Sequence, residues 1–348
     1  MMSQNTAQLL AELLKAHGIR KIIAVQGTAK AGFRAVVRDD PFFQVCASID
    51  ERSACYMACG MSAESGEPVV LACSEEGSSR SCFPAMTEAY YRQLPILAVT
   101  QSGRGRAQFT DSTSSPRDCA KITAHIPAIA SEEDSFRCAA KINEVILELT
   151  RNGGGPAVLS IEAEGNHASS EDGLPSVQAI DRIEHNAKPL PAITAKRVGI
   201  FVGPHSEWST KLTALADAFC EKYNGVVFCA DIGGYKGKYA INPGFMNFSQ
   251  RKEMDLMIHV GLAEGVSPAL RPSEVWSVDP AGRVSDVSGK LRCVFQMTEE
   301  EFFARYVELA GGSALRQTEY YSAQLFDHPI GKPRHVDQNI PNQIAYFA

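Results

Sequence analysis

Short runs of apolar residues alternate along this chain with longer segments in which apolar residues recur every three or four positions. The short runs are typical of buried strands, and the longer segments are typical of amphipathic helices. Strands that alternate with helices favour parallel sheets, because two parallel neighbours need a long crossover between them. The apolar runs predict strands over residues 21–25, 45–49, 69–73, 95–100, 156–161, 198–202, 225–230, 254–260, 276–278 and 293–296. The periodic segments predict helices over residues 8–17, 30–37, 51–65, 83–91, 136–150, 210–223 and 298–309.

The alternating pattern is interrupted in the middle of the chain. Between Glu162 and Lys196 the sequence is rich in Ser, Glu, Asp, Asn, Pro and Gly, which is typical of a linker laid over a surface. The pattern therefore predicts an α/β protein with two doubly wound, mainly parallel-sheet domains. Its parts are a first domain at 1–165, a linker at 166–196, a middle domain at 197–310 and a C-terminal arm at 311–348.

One carboxylate, Glu51, lies where a predicted strand meets a predicted helix. Asp50 before it is a good N-cap, and Gly66 follows the last turn of the helix. In open α/β sheets, ligands bind outside the carboxyl ends of the strands, which is where this junction falls. Glu51 is therefore a candidate catalytic residue, although an acid in the first turn also stabilises a helix through the helix dipole.

The composition excludes several classes of protein. The net charge of −6 leaves no broad basic field, which argues against nucleic acid as the main partner. No apolar run is long enough to span a bilayer and the first residues do not resemble a signal peptide, so we expect a cytoplasmic protein with no membrane partner. The ten cysteines include no Cys-x-x-Cys pair. We expect them to be free thiols, with Cys55 and Cys59 serving helix packing rather than a metal.

Three spaced motifs of the first domain recur together in one family of enzymes. They are Gly27-Thr28 after the first strand, Asp-Glu-Arg-Ser-Ala at 50–54, and Phe-Pro-Ala at 83–85 followed by Glu-Ala-Tyr-Tyr at 88–91. These motifs resemble the Pro-Gly loop, the activating-glutamate helix and the next helix of the thiamine-diphosphate-dependent decarboxylases and carboligases, the acetohydroxyacid synthase-like family. Parts of the second half resemble the middle domain of that family, so that the resemblance spans about residues 5–310.

The resemblance implies an enzyme that uses thiamine diphosphate and Mg²⁺ to decarboxylate a 2-oxo acid, to join its acyl group to an acceptor, or both. In the family the glutamate on the helix, here Glu51, touches N1′ of the aminopyrimidine ring of the cofactor and takes part in proton transfer. The same pocket would contain Gly27 and Thr28 in its first loop, Gly77 and Ser78 in its second, and Gln108 near the substrate. Ordinary hydrogen bonding within loops is the alternative role for the polar members of this set.

Two departures from the family pattern matter. Glu75 and Glu76 replace the small neutral residues that the family commonly has in the second loop, which leaves the type of substrate open. No Gly-Asp-Gly occurs in the chain, so the domain that holds Mg²⁺ and the diphosphate has no counterpart in it. A partner chain would then hold the metal and the diphosphate. Three hypotheses remain: a subunit of a split enzyme, a non-catalytic regulatory or binding protein that keeps the fold, and a truncated single-chain enzyme.

The resemblance also implies assembly, because the glutamate of the family works in a pocket that another polypeptide closes. We expect a homodimer or a hetero-oligomer with a chain that carries the diphosphate-binding domain. Small residues on one face of the Glu51 helix would permit a partner helix to approach closely: Ala54, Cys55, Ala58 and Cys59.

The remaining charged and titratable residues give weaker indications. Four basic residues could receive the carboxylate of a substrate or could be solvated surface charges: Lys30, Arg34, Arg104 and Arg106. Three histidines are far apart in sequence and are expected to be structural rather than parts of a hydrolase triad or a zinc site: His125, His205 and His259.

Overall fold

A computed structural model of the chain describes residues 6–25, 32–73, 78–102, 119–129, 131–162, 178–204, 207–229, 233–241, 252–261, 270–286 and 289–310. The chain divides into two compact units. The first unit is Met1–Ile180 with Asp286–Gly289, and the second is Asp181–Ser285 with Lys290–Ala348. Their boundary falls inside the segment that the sequence predicts to be a linker.

The described part of the first unit contains five α-helices and six strands, which alternate along most of its length. In chain order they are α1 (Thr6–Ala16), β1 (Lys21–Val25), α2 (Phe33–Arg38), β2 (Gln44–Ser48), α3 (Glu51–Ser65), β3 (Val69–Ala72), α4 (Phe83–Tyr91), β4 (Ile96–Ser102), β5 (Ile122–Ile126), α5 (Glu132–Glu148) and β6 (Ala157–Glu162). The strands form one sheet in the order β2-β1-β3-β4-β6-β5, and all five neighbouring pairs are parallel.

Helices cover both faces of this first sheet. Side chains of a strand point alternately to its two faces, and β3 shows the result clearly. Val70 and Ala72 belong to a core formed with α1, α2 and α5. Val69 and Leu71 belong to a second core formed with α3 and α4. A strand buried on both faces explains why 69–72 is an unbroken apolar run rather than an alternating one.

The described part of the second unit contains seven strands and two helices. They are β7 (Asp181–Glu184), β8 (Val198–Val202), α6 (Thr210–Tyr223), β9 (Gly225–Cys229), β10 (Ala240–Ile241), β11 (Lys252–Val260), β12 (Leu270–Val278), β13 (Leu291–Gln296) and α7 (Glu299–Leu309). The sheet order is β10-β9-β8-β11-β12-β13-β7, again with parallel pairs throughout.

The core of the second unit is aromatic where α6 and α7 pack on the sheet. Phe219 of α6 lies 5.4 Å, centroid to centroid, from Phe303 of α7, and Phe295 of β13 lies 4.9 Å from Phe302. All four rings are buried. Two separate parallel sheets with their own cores confirm the predicted α/β fold class. Strand β7 lies within the predicted linker of 166–196, where it pairs with β13.

Candidate active site

The first sheet has a topological switch point beside β1. The chain forms β2 on one side of β1 and then crosses to form β3 on its other side, while α2 and α3 pack on opposite faces of the sheet. Carboxyl ends of strands at such a point border a crevice in which ligands bind. Helix α3 begins at this edge, two residues after β2 ends, and Glu51 is its first residue.

Hydrogen bonds fix the start of α3 and thereby the position of Glu51. The carboxylate of Asp50 accepts bonds from the backbone N–H of Ser53 at 2.8 Å and from the Ser53 hydroxyl at 2.7 Å, as a good N-cap does. The hydroxyl of Ser48 donates to the carbonyl of Asp50 at 3.1 Å, which ties the end of β2 to the same turn. The helix ends at Gly66, whose φ of 69° is the left-handed conformation that glycine adopts readily.

Glu51 itself is buried, with 9% of its surface exposed. Carboxylates are rarely buried unless they have a specific role or partner, because desolvation penalises the charged form. Burial of an acid at the ligand-binding edge of the sheet goes beyond what a helix-dipole role requires, since that role is fulfilled by an exposed side chain. The structure thus places the main sequence-predicted residue where chemistry is expected.

The small residues of α3 face inward. Ala54, Cys55, Ala58 and Cys59 are at most 2% exposed, and all four belong to the core that α3 forms with the sheet and α4. The expectation that this face receives a partner helix is therefore wrong. The residue spacing identified a close-packing face correctly, but that face packs within the first unit.

The outer face of α3 carries exposed apolar side chains that the sequence reasoning missed. Ile49, just before the helix, is 81% exposed, and Tyr56 and Met57 are 43% and 42% exposed. Gly60 follows one turn later and has open space where a side chain would be. The sequence contained the signal for this face, since residues 53, 56, 57 and 60 lie on one side of the helix, whereas Ile49 precedes it.

A positive charge lies at the same edge of the sheet. Arg34 of α2 donates from Nη1 to the carbonyl of Val25, the last residue of β1, at 2.7 Å. Its Nη2 is buried and has no hydrogen-bond partner in the described part of the chain. Of the two roles left open for Arg34, an exposed solvated charge does not fit this geometry. A guanidinium with an unused buried donor is suited to an anionic group such as a carboxylate.

Several predicted site residues lie outside the described part of the chain: Gly27, Thr28, Gly77, Gln108, Lys30, Arg104, Arg106 and His205. Ser78 begins a short 3-10 helix, Ser78–Cys82, that leads into α4, but its side chain is outside the description. His125 lies in β5 of the first unit and His259 in β11 of the second. Among the described residues, no three or more His, Cys, Asp or Glu side chains are placed to hold a metal ion.

The helices of the described part are all too short or too polar to cross a membrane. A buried carboxyl at the mouth of the sheet suits a hydrogen bond to a heterocyclic nitrogen, whereas the described part offers no set of ligands for Mg²⁺.

Comparison with known proteins shows what the first unit is similar to. A family model described as thiamine pyrophosphate enzyme, N-terminal TPP binding domain, matches residues 4–115, a range that contains β1, α3 and Glu51. Residues 4–115 of the first unit are thus similar to the N-terminal TPP binding domain of thiamine pyrophosphate enzymes. Thiamine pyrophosphate is another name for thiamine diphosphate, so the family resemblance indicated by the sequence motifs is confirmed.

Two curated relatives are both named 2-succinyl-5-enolpyruvyl-6-hydroxy-3-cyclohexene-1-carboxylate synthase. The protein of Phocaeicola vulgatus is 31% identical over 188 residues, which cover 52% of this chain and 34% of the relative. The protein of Bacteroides fragilis is 26% identical over 337 residues, which cover 87% of this chain and 59% of the relative. The chain therefore spans between 34% and 59% of the length of these relatives.

A solved structure, described as a thiamin diphosphate-dependent enzyme from Mycobacterium smegmatis, aligns with 95% of this chain and 66% of its own. Its TM-score is 0.38 and its sequence identity is 15%. This similarity is too low to support an argument about the site.

Proposed function

We propose that this chain is the pyrimidine-binding subunit of a split thiamine-diphosphate-dependent enzyme that acts on a 2-oxo acid, by decarboxylation, carboligation or both. The observation that carries the proposal is the buried Glu51 at the first turn of α3, inside a thiamine pyrophosphate enzyme N-terminal domain. A non-catalytic regulatory protein with the same fold would have no need to bury a carboxyl group at that position.

Glu51 would hold a proton at N1′ of the aminopyrimidine ring. When bound, the cofactor supplies an electron sink for the carbon that loses carbon dioxide. Glu51 is suited to the proton-sharing role because its position is fixed by the capped turn at Asp50 and because burial keeps water from competing for the carboxyl group. Gly27, Thr28, Gly77 and Ser78 would complete the pyrimidine pocket, and Gln108 would lie near the substrate.

Arg34 would receive the carboxylate of the 2-oxo acid. Its guanidinium is anchored at the carboxyl end of β1 and retains a buried Nη2 donor, so one hydrogen-bonding position remains for an anion at the mouth of the site. Arginine binds carboxylates with charge-assisted and often bidentate geometry, which lysine cannot reproduce.

A partner polypeptide would supply the diphosphate-binding half of the site, together with Mg²⁺. The exposed row of Ile49, Tyr56 and Met57 beside Glu51 offers an apolar surface on which such a partner could dock. A homodimer or a hetero-oligomer in the cytoplasm is the assembly that we expect.

Titration with cofactor tests whether the chain alone binds thiamine diphosphate or needs the partner polypeptide for it. The diphosphate and metal provide most of the charged contacts, and hydrogen bonds to charged groups contribute about 1.5–3 kcal/mol each. Losing several of them lowers affinity by at least about three orders of magnitude, since 1.4 kcal/mol is tenfold. We expect calorimetry with thiamine diphosphate and Mg²⁺ to show no appreciable binding to the chain alone. Addition of a polypeptide that carries a Gly-Asp-Gly diphosphate domain should restore it, whereas micromolar affinity of the chain alone would contradict the proposal.

A further inference from the structure

Four cysteine thiols of the first unit meet beside the backbone of Glu51. Cys55 of α3 contacts both Cys59, one turn further along the helix, and Cys82, at the start of α4. The sulfur of Cys82 lies 4.0 Å from the sulfur of Cys73 and 3.6 Å from the carbonyl oxygen of Glu51, to which its thiol donates. All four cysteines are buried and free.

Cys82 is placed to be the attacking sulfur of the pair that it forms with Cys73. It is the N-cap residue of the nine-residue helix α4, where the helix dipole favours a thiolate. Hydrogen bonds from the thiols of Cys55 and then Cys73 lower its pKa, against the opposing effect of burial and of the Glu51 carboxyl. The same contact with Cys82 raises the pKa of Cys73, so Cys73 remains the protonated partner.

Cys73 and Cys82 lie at the two ends of the connection between β3 and α4, so a bond between their sulfurs would link these two elements. Cys73 follows β3 and Cys82 precedes α4, so residues 74–81 lie between them in the chain, and Cys82 contacts the Glu51 carbonyl at the start of α3. A metal site is not indicated, because the described residues contain no group of three or more ligands placed to hold one. Two thiols whose sulfurs are already at 4.0 Å can instead be joined by rotation of their side chains.

We propose that Cys73 and Cys82 form a redox-active dithiol pair, which a peroxide converts into a disulfide. The Cys82 thiolate attacks one oxygen of hydrogen peroxide, the O–O bond breaks, and the departing oxygen takes up a proton to leave as water. The sulfur of Cys73 then attacks the sulfenic acid of Cys82, an S–S bond forms, and the second oxygen leaves as water with the proton of Cys73. Two thiols and one peroxide give one disulfide and two waters, and a small thiol reductant reverses the oxidation.

The disulfide would change the surroundings of Glu51. It fixes the end of β3 to the start of α4 and draws the Cys82 sulfur, which lies 3.6 Å from the Glu51 carbonyl oxygen, toward Cys73. The effect on turnover rests on the proposed function, because it assumes that the segment between the two cysteines and Glu51 form the pyrimidine pocket. Formation of the disulfide itself does not depend on that function, and transient disulfides in reducing compartments are typically redox-sensing.

Peptide mapping tests the pair directly. The full-length chain is treated with hydrogen peroxide, its remaining thiols are alkylated, and the digest is examined by mass spectrometry. We expect a linked peptide that joins Cys73 to Cys82, lighter by two hydrogen atoms than the sum of its reduced parts and absent after treatment with dithiothreitol. Cys138, a lone buried thiol on α5, supplies the matched control, and its replacement in Cys138→Ser should leave the linked peptide unchanged.

A second variant identifies the attacking sulfur. In Cys73→Ser the linked peptide must be absent, and dimedone should label Cys82 as a sulfenic acid. Oxidation of the half-exposed Cys46 shows that the dose of peroxide is sufficient. If Cys73 and Cys82 are both still alkylated at that dose, the proposal is overturned. A disulfide between Cys55 and Cys59 instead of Cys73 and Cys82 would also overturn it. If the linked peptide forms but thiamine-dependent turnover is never found, only the proposed function fails.

Discussion

The consecutive residues Asp50 and Glu51 lie in different surroundings: the carboxylate of Asp50 caps helix α3, whereas the side chain of Glu51 is buried. The carboxylate of Asp50 is held by the backbone N–H and hydroxyl of Ser53, and these bonds lower its pKa, which keeps it charged as a helix cap. Glu51 is turned into the protein at the mouth of the sheet. The cap thus stabilises the turn that presents the neighbouring acid.

The sequence was sufficient to locate Glu51 but not to assess Arg34. A cap, a helical period and a glycine stop are local signals, and they place Glu51 in the first turn without knowledge of the rest of the chain. The sequence provided no reason to prefer Arg34 over the other three basic residues that could bind a substrate carboxylate. What distinguishes it is the burial of one guanidinium nitrogen, which depends on how α2 packs beside β1. Such burial is a tertiary property that residue spacing does not encode.

Arg34→Lys should raise the KM for the 2-oxo acid in the reconstituted complex by about tenfold to a hundredfold, with a smaller change in kcat. The range corresponds to the loss of one charge-assisted hydrogen bond of about 1.5–3 kcal/mol. Arg38→Lys on the same helix is the control, since Arg38 is exposed and pairs only with its neighbour Asp39 in the described structure. Equal KM values for the two variants would remove Arg34 from substrate binding.

Asp255→Asn should destabilise the second unit at neutral pH. The Asp255 carboxylate accepts bonds from the backbone N–H groups of Lys196 and Arg197 and from the guanidinium of Arg197. The Arg197 side chain, more than the backbone groups, lowers the pKa of Asp255 in the folded protein. Its contribution is therefore complete above the unfolded pKa of about 3.9 and is lost as the pH falls through the lower folded value.

Urea unfolding followed by tryptophan fluorescence measures this effect, because both tryptophans, Trp208 and Trp276, lie in the second unit. We expect Asp255→Asn to lower the free energy of unfolding by about 1–3 kcal/mol at pH 7 and by progressively less in acid. The exposed Glu308→Gln should have no effect at either pH. A difference that grows as the pH falls would contradict the assigned sign.

At the scale of elements, the long periodic and apolar segments were predictable, and so was the edge strand β2, whereas the edge strands β5 and β7 were not. Helices α4 and α6 begin and end where the sequence predicts. Strands β5 and β7 escaped prediction because each lies at a sheet edge and is only partly buried, so neither needs an unbroken apolar run.

Strand β12 runs from Leu270 to Val278, whereas the sequence predicted only residues 276–278. Pro272 lies in the stretch of β12 that pairs with β11 alone, because β13 pairs with β12 only from Val275 onward, and proline is confined largely to such less-paired parts of a sheet. The inward face of α3 shows a related limit. A row of small residues predicts close packing, yet it does not say whether the neighbour belongs to the same chain.

Ile49→Asp should disrupt assembly through the outer face of α3. An aspartate at a position that is 81% exposed in the chain alone is harmless there, but it becomes a buried charge if a partner covers the site. The control is Leu309→Asp, at an exposed apolar position of the second unit. Light scattering of each variant mixed with the partner polypeptide should show the complex for Leu309→Asp and no complex for Ile49→Asp. A complex that forms equally with both variants would exclude this face as the docking surface.

At the scale of the whole molecule, the chain combines a unit that is similar to the N-terminal domain of thiamine pyrophosphate enzymes with a second parallel α/β unit. The sequence predicted both from two separate series of strands and helices.

The most direct test of the account compares Glu51→Gln with Glu64→Gln in the complex with the partner polypeptide. Glutamine keeps the size of the side chain but cannot share a proton, whereas Glu64 is exposed on the same helix and serves as the matched control. We measure thiamine-diphosphate-dependent turnover of a panel of 2-oxo acids. The account predicts a fall of about two to four orders of magnitude for Glu51→Gln, the range for a lost proton-transfer group, and no change for Glu64→Gln. Unchanged turnover in Glu51→Gln would contradict it.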